Sequence, residues 1–484
     1  MRFVDESMQV EACESASLGI QKVAATAELD DDGKQRRTGN VWTASAHIIT
    51  AVIGSGVLSL GWAMAQLGWI AGVTTLLVFS GITLYTSSFL ADCYRSPVTG
   101  KRNYTYKEIV KNNLGGTMYV ACIVAQYGLL CGALVGYTIT VSTSMVAIKK
   151  SNCFHKRGHE ASCSFSYNPY MIGMGILEIF LSQISNFHKL SMLSVVAAVM
   201  SFGYSSIGVG LALARVISGK GGKTTLTGVE IGIGISAADK TWRMFRAFGD
   251  IAFAYAYSQV LVEIQDTLKA SPPENEVMKK ANIVAVATTT TFYLLCGCLG
   301  YAAFGNNAAG NLLTGFGFYE PFWLVDLANA CIVLHLVGAY QVYSQPVFSA
   351  VESLVVGRWP NSDFVTKEYG IGSGNNSQGK CSINLFRLAW RSSFVVFATF
   401  LAMMMPFFND VLAFLGAIGY WPLVVYFPIQ LHIVKSKMRT RTWSWLGLQL
   451  INSVCLVVAV AAACGSIQGI NDGLKKFKPF EVKE

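Results

Sequence analysis

The sequence predicts an all-α integral membrane protein, a bundle of about eleven transmembrane helices. Two observations carry that class. Of the 484 residues 52% are apolar and only 13% charged, where a soluble domain carries roughly a quarter charged residues. The apolar residues also fall in long blocks whose interiors are almost free of charge, and a helix needs about 20 such residues to cross the hydrocarbon layer. Inside that layer every backbone N–H and C=O must be paired within the protein, so repeated blocks of this length mean helices. The alternating strands of a membrane barrel, roughly 10 residues each, are absent.

In chain order the blocks place spans at 41–66, 70–94, 117–148, 170–187, 190–217, 242–268, 281–304, 322–351, 390–408, 411–434 and 443–467. Residues 1–37 precede them and are expected to be a disordered cytosolic tail. They hold Asp5, Glu6, Glu11 and Glu14 where a signal peptide needs an apolar core, and they close on Asp30-Asp31-Asp32, Lys34, Arg36 and Arg37. Loop charge then sets the orientation. With the N-terminus in the cytosol, the inner loops gather Arg95, Lys101, Arg102, Lys107 and Lys111, and later Lys269, Lys279, Lys280, Lys435 and Lys437. The short outer loops at 305–321 and 409–410 hold no Lys or Arg, while Lys149, Lys150, Lys220 and Lys223 fall outside. An odd number of spans places the Lys-rich C-terminal tail outside.

The net charge of +9 sits in these loops. It suits anionic lipid headgroups rather than nucleic acid, since no basic face is left for groove docking. Most of the twelve cysteines lie inside apolar blocks as small packing residues. Cys153 and Cys163 share one polar outer loop, where an oxidising exterior permits a disulfide. The sequons at Asn103 and Asn375 fall in inner loops and are expected to stay unglycosylated. Gly219-Lys220-Gly221-Gly222-Lys223-Thr224 resembles the end of a phosphate-binding loop, but Ile217 stands where its first glycine belongs. With no hydrolase or metal-ligand spacing either, the sequence gives no sign of an enzyme, a metal site or a cofactor.

The first span carries the sharpest signal. Gly54-Ser55-Gly56 follows Ile53 at mid-membrane, and glycine costs about 1 kcal/mol against alanine in a helix interior. The helix can part there cheaply, freeing N–H groups that suit a carboxylate and C=O groups that suit a cation. The competing reading is close helix packing on small residues. A second break is expected in the sixth span, at Phe253-Ala254-Tyr255-Ala256-Tyr257-Ser258. Five spans followed by five more entering from the opposite side set these two breaks against each other, as in transporters built from inverted repeats. Gln126 and Tyr127 of the third span are candidates for the same path. They precede Gly128, Gly132 and Gly136, whose spacing reads as a packing groove.

Ionisable groups inside spans are costly and functional by default. His47, Asp250, Asp326 and His335 are the candidates for proton coupling, because an imidazole titrates near neutral pH and a carboxylate can be brought there. For the histidines the structural alternative is a hydrogen bond to a backbone carbonyl. Glu178 and His188 rank below them. Glu263 and Asp266 are expected at the inner mouth, either as a gate pairing with Lys269 or Arg95 or as a solvated rim.

The run Thr38-Gly39-Asn40-Val41-Trp42-Thr43-Ala44-Ser45-Ala46-His47, continuing through Gly54-Ser55-Gly56 to Ala65-Gln66-Leu67-Gly68-Trp69, resembles the plant amino acid permeases of the amino acid/auxin permease family. Gly249-Asp250-Ile251-Ala252-Phe253-Ala254-Tyr255 and Glu263-Ile264-Gln265-Asp266-Thr267-Leu268 fit the same resemblance, which runs from about Lys34 to the end. It implies the fold of the sodium-coupled leucine transporter, a five-plus-five inverted repeat with one extra helix: repeats at 38–217 and 218–434, then an eleventh helix and short tail at 435–484. It implies a plasma-membrane symporter of amino acids with broad specificity, driven by the proton gradient without a cofactor and sufficient as a monomer. An auxin or organic-acid carrier, a channel and an amino-acid-binding sensor are the alternatives.

Overall fold

The computed structural model describes residues 29–476 apart from 35, 97–98, 159, 184–186, 233, 315–319 and 372–380, with backbone only at 187–195, 370–371, 381–383 and 476. The acidic residues expected in the first part of the tail, the His188 side chain, the Asn375 sequon and residues 477–484 lie outside what is described.

Among the described residues the regular elements are helices apart from one small hairpin. In order come α1 (Val41–Val52), α2 (Gly56–Asp92), α3 (Tyr106–Leu114), α4 (Gly116–Arg157), α5 (Asn168–Ser182), α6 (Phe187–Ile217), α7 (Ala237–Ala254), α8 (Ser258–Gln265) and α9 (Glu274–Phe304). After them come α10 (Phe322–Arg358), α11 (Asp363–Thr366), the antiparallel strands β1 (Glu368–Ile371) and β2 (Cys381–Asn384), α12 (Leu385–Met404) and α13 (Phe408–Gly419). A π-helical turn (Tyr420–Tyr426) joins α13 to α14 (Phe427–Lys435), and α15 (Trp443–Lys476) closes the bundle. Among the described residues eight helices are long and apolar enough to cross a membrane. α2 contains two of the crossings, because Gly68 (φ 76°) interrupts it with a kink. A Cβ at Gly68 would collide with the backbone of Gly228, itself at φ 77°. Only residues without a side chain permit that contact.

Among the described residues, dividing α2 at Gly68 with α1 joined to its first part, taking α7 with α8 as one interrupted crossing, and adding the 15-residue α5 gives eleven, close to the spans read from the sequence. Large apolar side chains stand outward, among them Val124, Phe180, Leu450 and Val457, each more than 60% exposed. That is how a lipid-facing surface differs from a soluble one.

Small residues set the close approaches. Gly249 of α7 and Gly416 of α13 bring the two backbones together, with a Cβ at either running into the other helix. Of the α4 glycines, Gly132 receives Leu415 and Gly136 faces Leu412, whereas Gly128 faces open space. At the far end of α4, Cys153 and Cys163 are joined in a disulfide with Cα atoms 6.1 Å apart. Asn103 is 4% exposed and donates its amide to the carbonyls of Cys93 and Tyr94, which leaves no room for a glycan.

The tail differs from expectation. Residues 30–32, read as disordered, are bound: Arg37 pairs with Asp30 at 3.0 Å and with Asp32 at 2.8 Å. Opposite charges in sequence order, Asp30-Asp31-Asp32 then Arg37, close a local loop that composition alone does not disclose.

Candidate functional site

α1 starts on a reciprocal cap, Asn40 Oδ1 accepting from the Trp42 and Thr43 N–H groups and Thr43 Oγ1 accepting from the Asn40 N–H. It ends at Val52, where Ile53 (ψ 80°) leaves the helix, and the chain becomes helical again at Gly56. α7, capped by Ser236 and Asp239, ends at Ala254, and α8 begins at Ser258 after three residues outside the helix. Each break strips terminal carbonyls and N–H groups of their intrahelical partners. The two breaks touch: a Cβ at Gly56 would lie 3.1 Å from Ala254 Cα and 3.3 Å from Phe253 Cδ1.

Between them is a cavity of about 20 Å³, room for about one water. Val52, Gly54, Ser55 and Gly56 line it from the first break, and Phe253, Ala254, Ala256 and Gln259 from the second. Leu129, Ala133 and Tyr137 of α4 and Tyr343 of α10 complete the wall. The α4 residues recur every four positions on one face, and the Tyr137 and Tyr343 rings meet edge to face at 5.4 Å. Ser55 Oγ is buried with no partner, an unsatisfied hydroxyl at the cavity. Partial positive charge at the starts of α2 and α8 and partial negative charge at the ends of α1 and α7 make the cavity complementary to a zwitterion, with an apolar flank beside it.

Not every residue expected here takes part. Ile53 is buried outside the lining. Tyr255 and Tyr257 turn toward α9, their hydroxyls donating to Thr290 Oγ1 and Asn282 Oδ1 at 3.2 Å each. Ser258 is buried beside the cavity rather than on it. Gln126 donates to the Gln259 carbonyl at 3.0 Å, and Tyr127 accepts from Lys107 at 2.9 Å, well off the path. Tyr137, Tyr343 and Gln259 were not singled out in the sequence, since an aromatic or amide inside a span carries no mark of what it faces.

The ionisable residues separate into four places. His335 is 2% exposed; its Nδ1 donates to the Ala197 carbonyl at 2.9 Å, and a Cβ on Gly54 would lie 3.9 Å from its Nε2. It faces the first break. His47 lines a recess of about 320 Å³ on the N-terminal side, together with Thr50, Gln259, Glu263 and Tyr343. That recess shares Ala51, Gln259 and Tyr343 with the central cavity. Asp250, fully buried, accepts from Asn409 at 3.3 Å. One turn before it, Arg246 pairs with Asp410 at 2.7 Å. Arg246, Asn409 and Asp410 line a second recess, on the opposite side, which shares no lining residue with the central cavity. Asp326 stands apart from the breaks near the start of α10, accepting from Asn152 of α4 at 2.5 Å.

On the N-terminal face both interrupted helices are tied together. Gly39 donates to the Thr267 carbonyl at 3.0 Å, and Lys269 donates back to Gly39 at 3.2 Å. Arg37 pairs with Asp266 at 2.9 Å, so the partner of Asp266 is neither Lys269 nor Arg95. Arg102, nearly fully buried, joins Glu274 at 3.0 Å and Asp32 at 3.3 Å and also pairs with Asp31. The Arg37 guanidinium holds the Asp32 carboxyl well below the usual carboxylate range.

Paired helix breaks around a small central cavity, inside a lipid-facing bundle, are the architecture of a secondary transporter. The chain belongs to the transmembrane amino acid transporter protein family, whose model matches residues 37–471. That is a family of transporters, not of enzymes. Over 460 residues it is 59% identical to Amino acid permease 8 of Arabidopsis thaliana, covering 95% of this chain and 96% of the relative. It is 58% identical over 459 residues to Amino acid permease 1 of the same plant, covering 94% of each. Among solved structures, MhsT in complex with L-phenylalanine superposes with a TM-score of 0.50 at 9% identity, covering 89% of this chain and 100% of that one. The chain thus has the fold of the sodium-coupled leucine transporter type.

Proposed function

We propose that this protein takes up amino acids of broad specificity across the plasma membrane by proton-coupled symport, alternating access to the central cavity between its two faces. The N-terminal face is cytosolic and the end of α15 extracellular. The five crossings within 38–217 and the five within 218–434 act as the two inverted repeats, and one chain suffices. The observation that carries this reading is the contact of the two breaks at Gly56 and Ala254 around a cavity of zwitterion-complementary polarity. The substrate carboxylate sits at the N–H ends of α2 and α8 and its ammonium at the carbonyl ends of α1 and α7. Side chains of different size lie against Leu129, Ala133 and Tyr137. His47, on the cytosolic recess, and His335, at the first break, are the groups best placed to pass a proton along the substrate's route. Asp250 serves the extracellular side beside the ion pair of Arg246 and Asp410.

The relatives named as amino acid permeases support an amino acid substrate over an auxin or other organic acid, which brings no ammonium for the carbonyl ends. The test is the current in an expressing cell with external amino acid varied at two pH values and with sodium removed. The reading predicts a current that grows on acidification and survives sodium removal. A sodium-dependent current indifferent to pH overturns the proton assignment, and a current only with organic acids overturns the substrate class.

A further inference from the structure

The backbone around the first break is short of protons. Tyr293 of α9, fully buried, places its hydroxyl oxygen 2.6 Å from the Val52 carbonyl and 2.8 Å from the Ala254 carbonyl. The first carbonyl ends α1 and the second ends α7, and both residues line the central cavity. Tyr204 of α6, 1% exposed, stands 3.2 Å from the Ile53 carbonyl and 3.0 Å from that of Gly54. A phenol carries one proton. Two hydroxyls therefore offer two protons to four carbonyls, those of Val52, Ile53 and Ala254 buried and that of Gly54 part-buried. Val52 has a second donor in the Gly54 N–H at 2.9 Å, but whichever carbonyl Tyr293 serves, the other faces a phenol lone pair at hydrogen-bond distance.

An ammonium group brings three donors and no acceptor, which is what this arrangement lacks. We propose that Tyr293 is a positioning residue for transport: in the empty carrier its single proton, shared by turns between the two carbonyls, bridges the end of α1 and the end of α7, and the substrate's ammonium takes over one of the two carbonyls when it binds. The inference rests on the substrate site proposed above. Tyr293 is needed to hold the breaks in register when the cavity is empty and is dispensable when an amino acid bridges them. Tyr204 touches only the end of α1 and does not join the two helices.

The two states can be read separately, because net uptake requires the empty carrier to return across the membrane whereas exchange of internal for external amino acid does not. In proteoliposomes, Tyr293→Phe is expected to lower net uptake tenfold or more while exchange stays within about twofold of the parent, and Tyr204→Phe is expected not to separate the two. Equal loss of uptake and exchange in Tyr293→Phe, or no loss in either, overturns the proposal. A substitution that keeps the hydroxyl covers the case in which Tyr293→Phe does not fold. With 3-fluorotyrosine at 293, the fluorine resonance is expected to shift on adding saturating amino acid, and an unchanged resonance overturns the proposal. Absence of amino acid exchange in the parent protein would instead refute the substrate site itself.

Discussion

Arg37 and Asp266 are 229 positions apart in the chain and meet at 2.9 Å. Arg37 precedes α1 and Asp266 follows α8, so this pair joins the ends of both interrupted helices on the N-terminal face. Tyr94 reinforces it by donating to the same carboxylate at 2.5 Å, and the backbone bridge between Gly39 and Leu268 runs alongside. Exposed ion pairs contribute little, about 0–1 kcal/mol, but the Arg37 side chain is only 7% exposed and holds three carboxylates. Removing one partner of such a cluster leaves charges uncompensated.

Arg37→Ala is therefore expected to bias the carrier toward the cytosol-open state. Uptake should fall about tenfold, equivalent to roughly 1.4 kcal/mol, and a cysteine placed at Thr50 should react faster with a thiol reagent supplied from the cytosolic side. Unchanged labelling would show that the cluster does not control access.

The cluster is also expected to be indifferent to physiological pH. Asp32 has its carboxyl pKa lowered by Arg37, so its contribution is fully present above the unfolded value of about 3.9 and is lost only as pH falls through the lower folded value. Between pH 5 and 8 nothing changes there. Asp32→Asn should lower the maximal uptake rate while leaving the shape of the pH profile unaltered, as measured from pH 5 to 8. A displaced profile would place proton coupling in this cluster.

Gly54 and Gly56 are expected to respond differently to the same small change. A methyl group at Gly54 meets only His335 Nε2 at 3.9 Å, whereas at Gly56 it meets Ala254 Cα at 3.1 Å. Overpacking of this kind costs typically 1–3 kcal/mol. Gly54→Ala should keep most uptake, and Gly56→Ala should lose most of it with surface delivery intact. Equal tolerance at both positions would argue that the breaks need not touch.

The bond between Cys153 and Cys163 gives a test of orientation. Closing a loop of this length is worth roughly 3 kcal/mol in the chain-entropy account. A membrane-impermeant reductant applied to intact cells should open it, detected as added thiol mass on both residues. Reduction only after permeabilisation would reverse the assignment of faces.

The fold was legible where physics acts along the chain. Apolar length fixes a span, and Gly54-Ser55-Gly56 marks a break because glycine weakens a helix wherever it stands. The reversal at Gly68 was blurred into a gap, because only its contact with Gly228 explains the sharp kink. α3 (Tyr106–Leu114) is too short and too polar to register as a span in the sequence. The site was legible only in its backbone half. Proximity to the break predicts Tyr255 and Tyr257 in the pocket, yet both hydroxyls find acceptors on α9. Tyr137, Tyr343 and Tyr293 come from other helices, and no local pattern states which tyrosine meets an orphan carbonyl.

The most direct test is a high-resolution map of the purified protein at saturating amino acid. The account predicts density between the two interrupted helices, with the carboxylate against the N–H groups at the starts of α2 and α8 and the ammonium within hydrogen-bond distance of the Val52, Gly54 or Ala254 carbonyls. Uninterrupted helices through 41–67 and 237–265, or an amino acid bound elsewhere with this cavity empty, would contradict it.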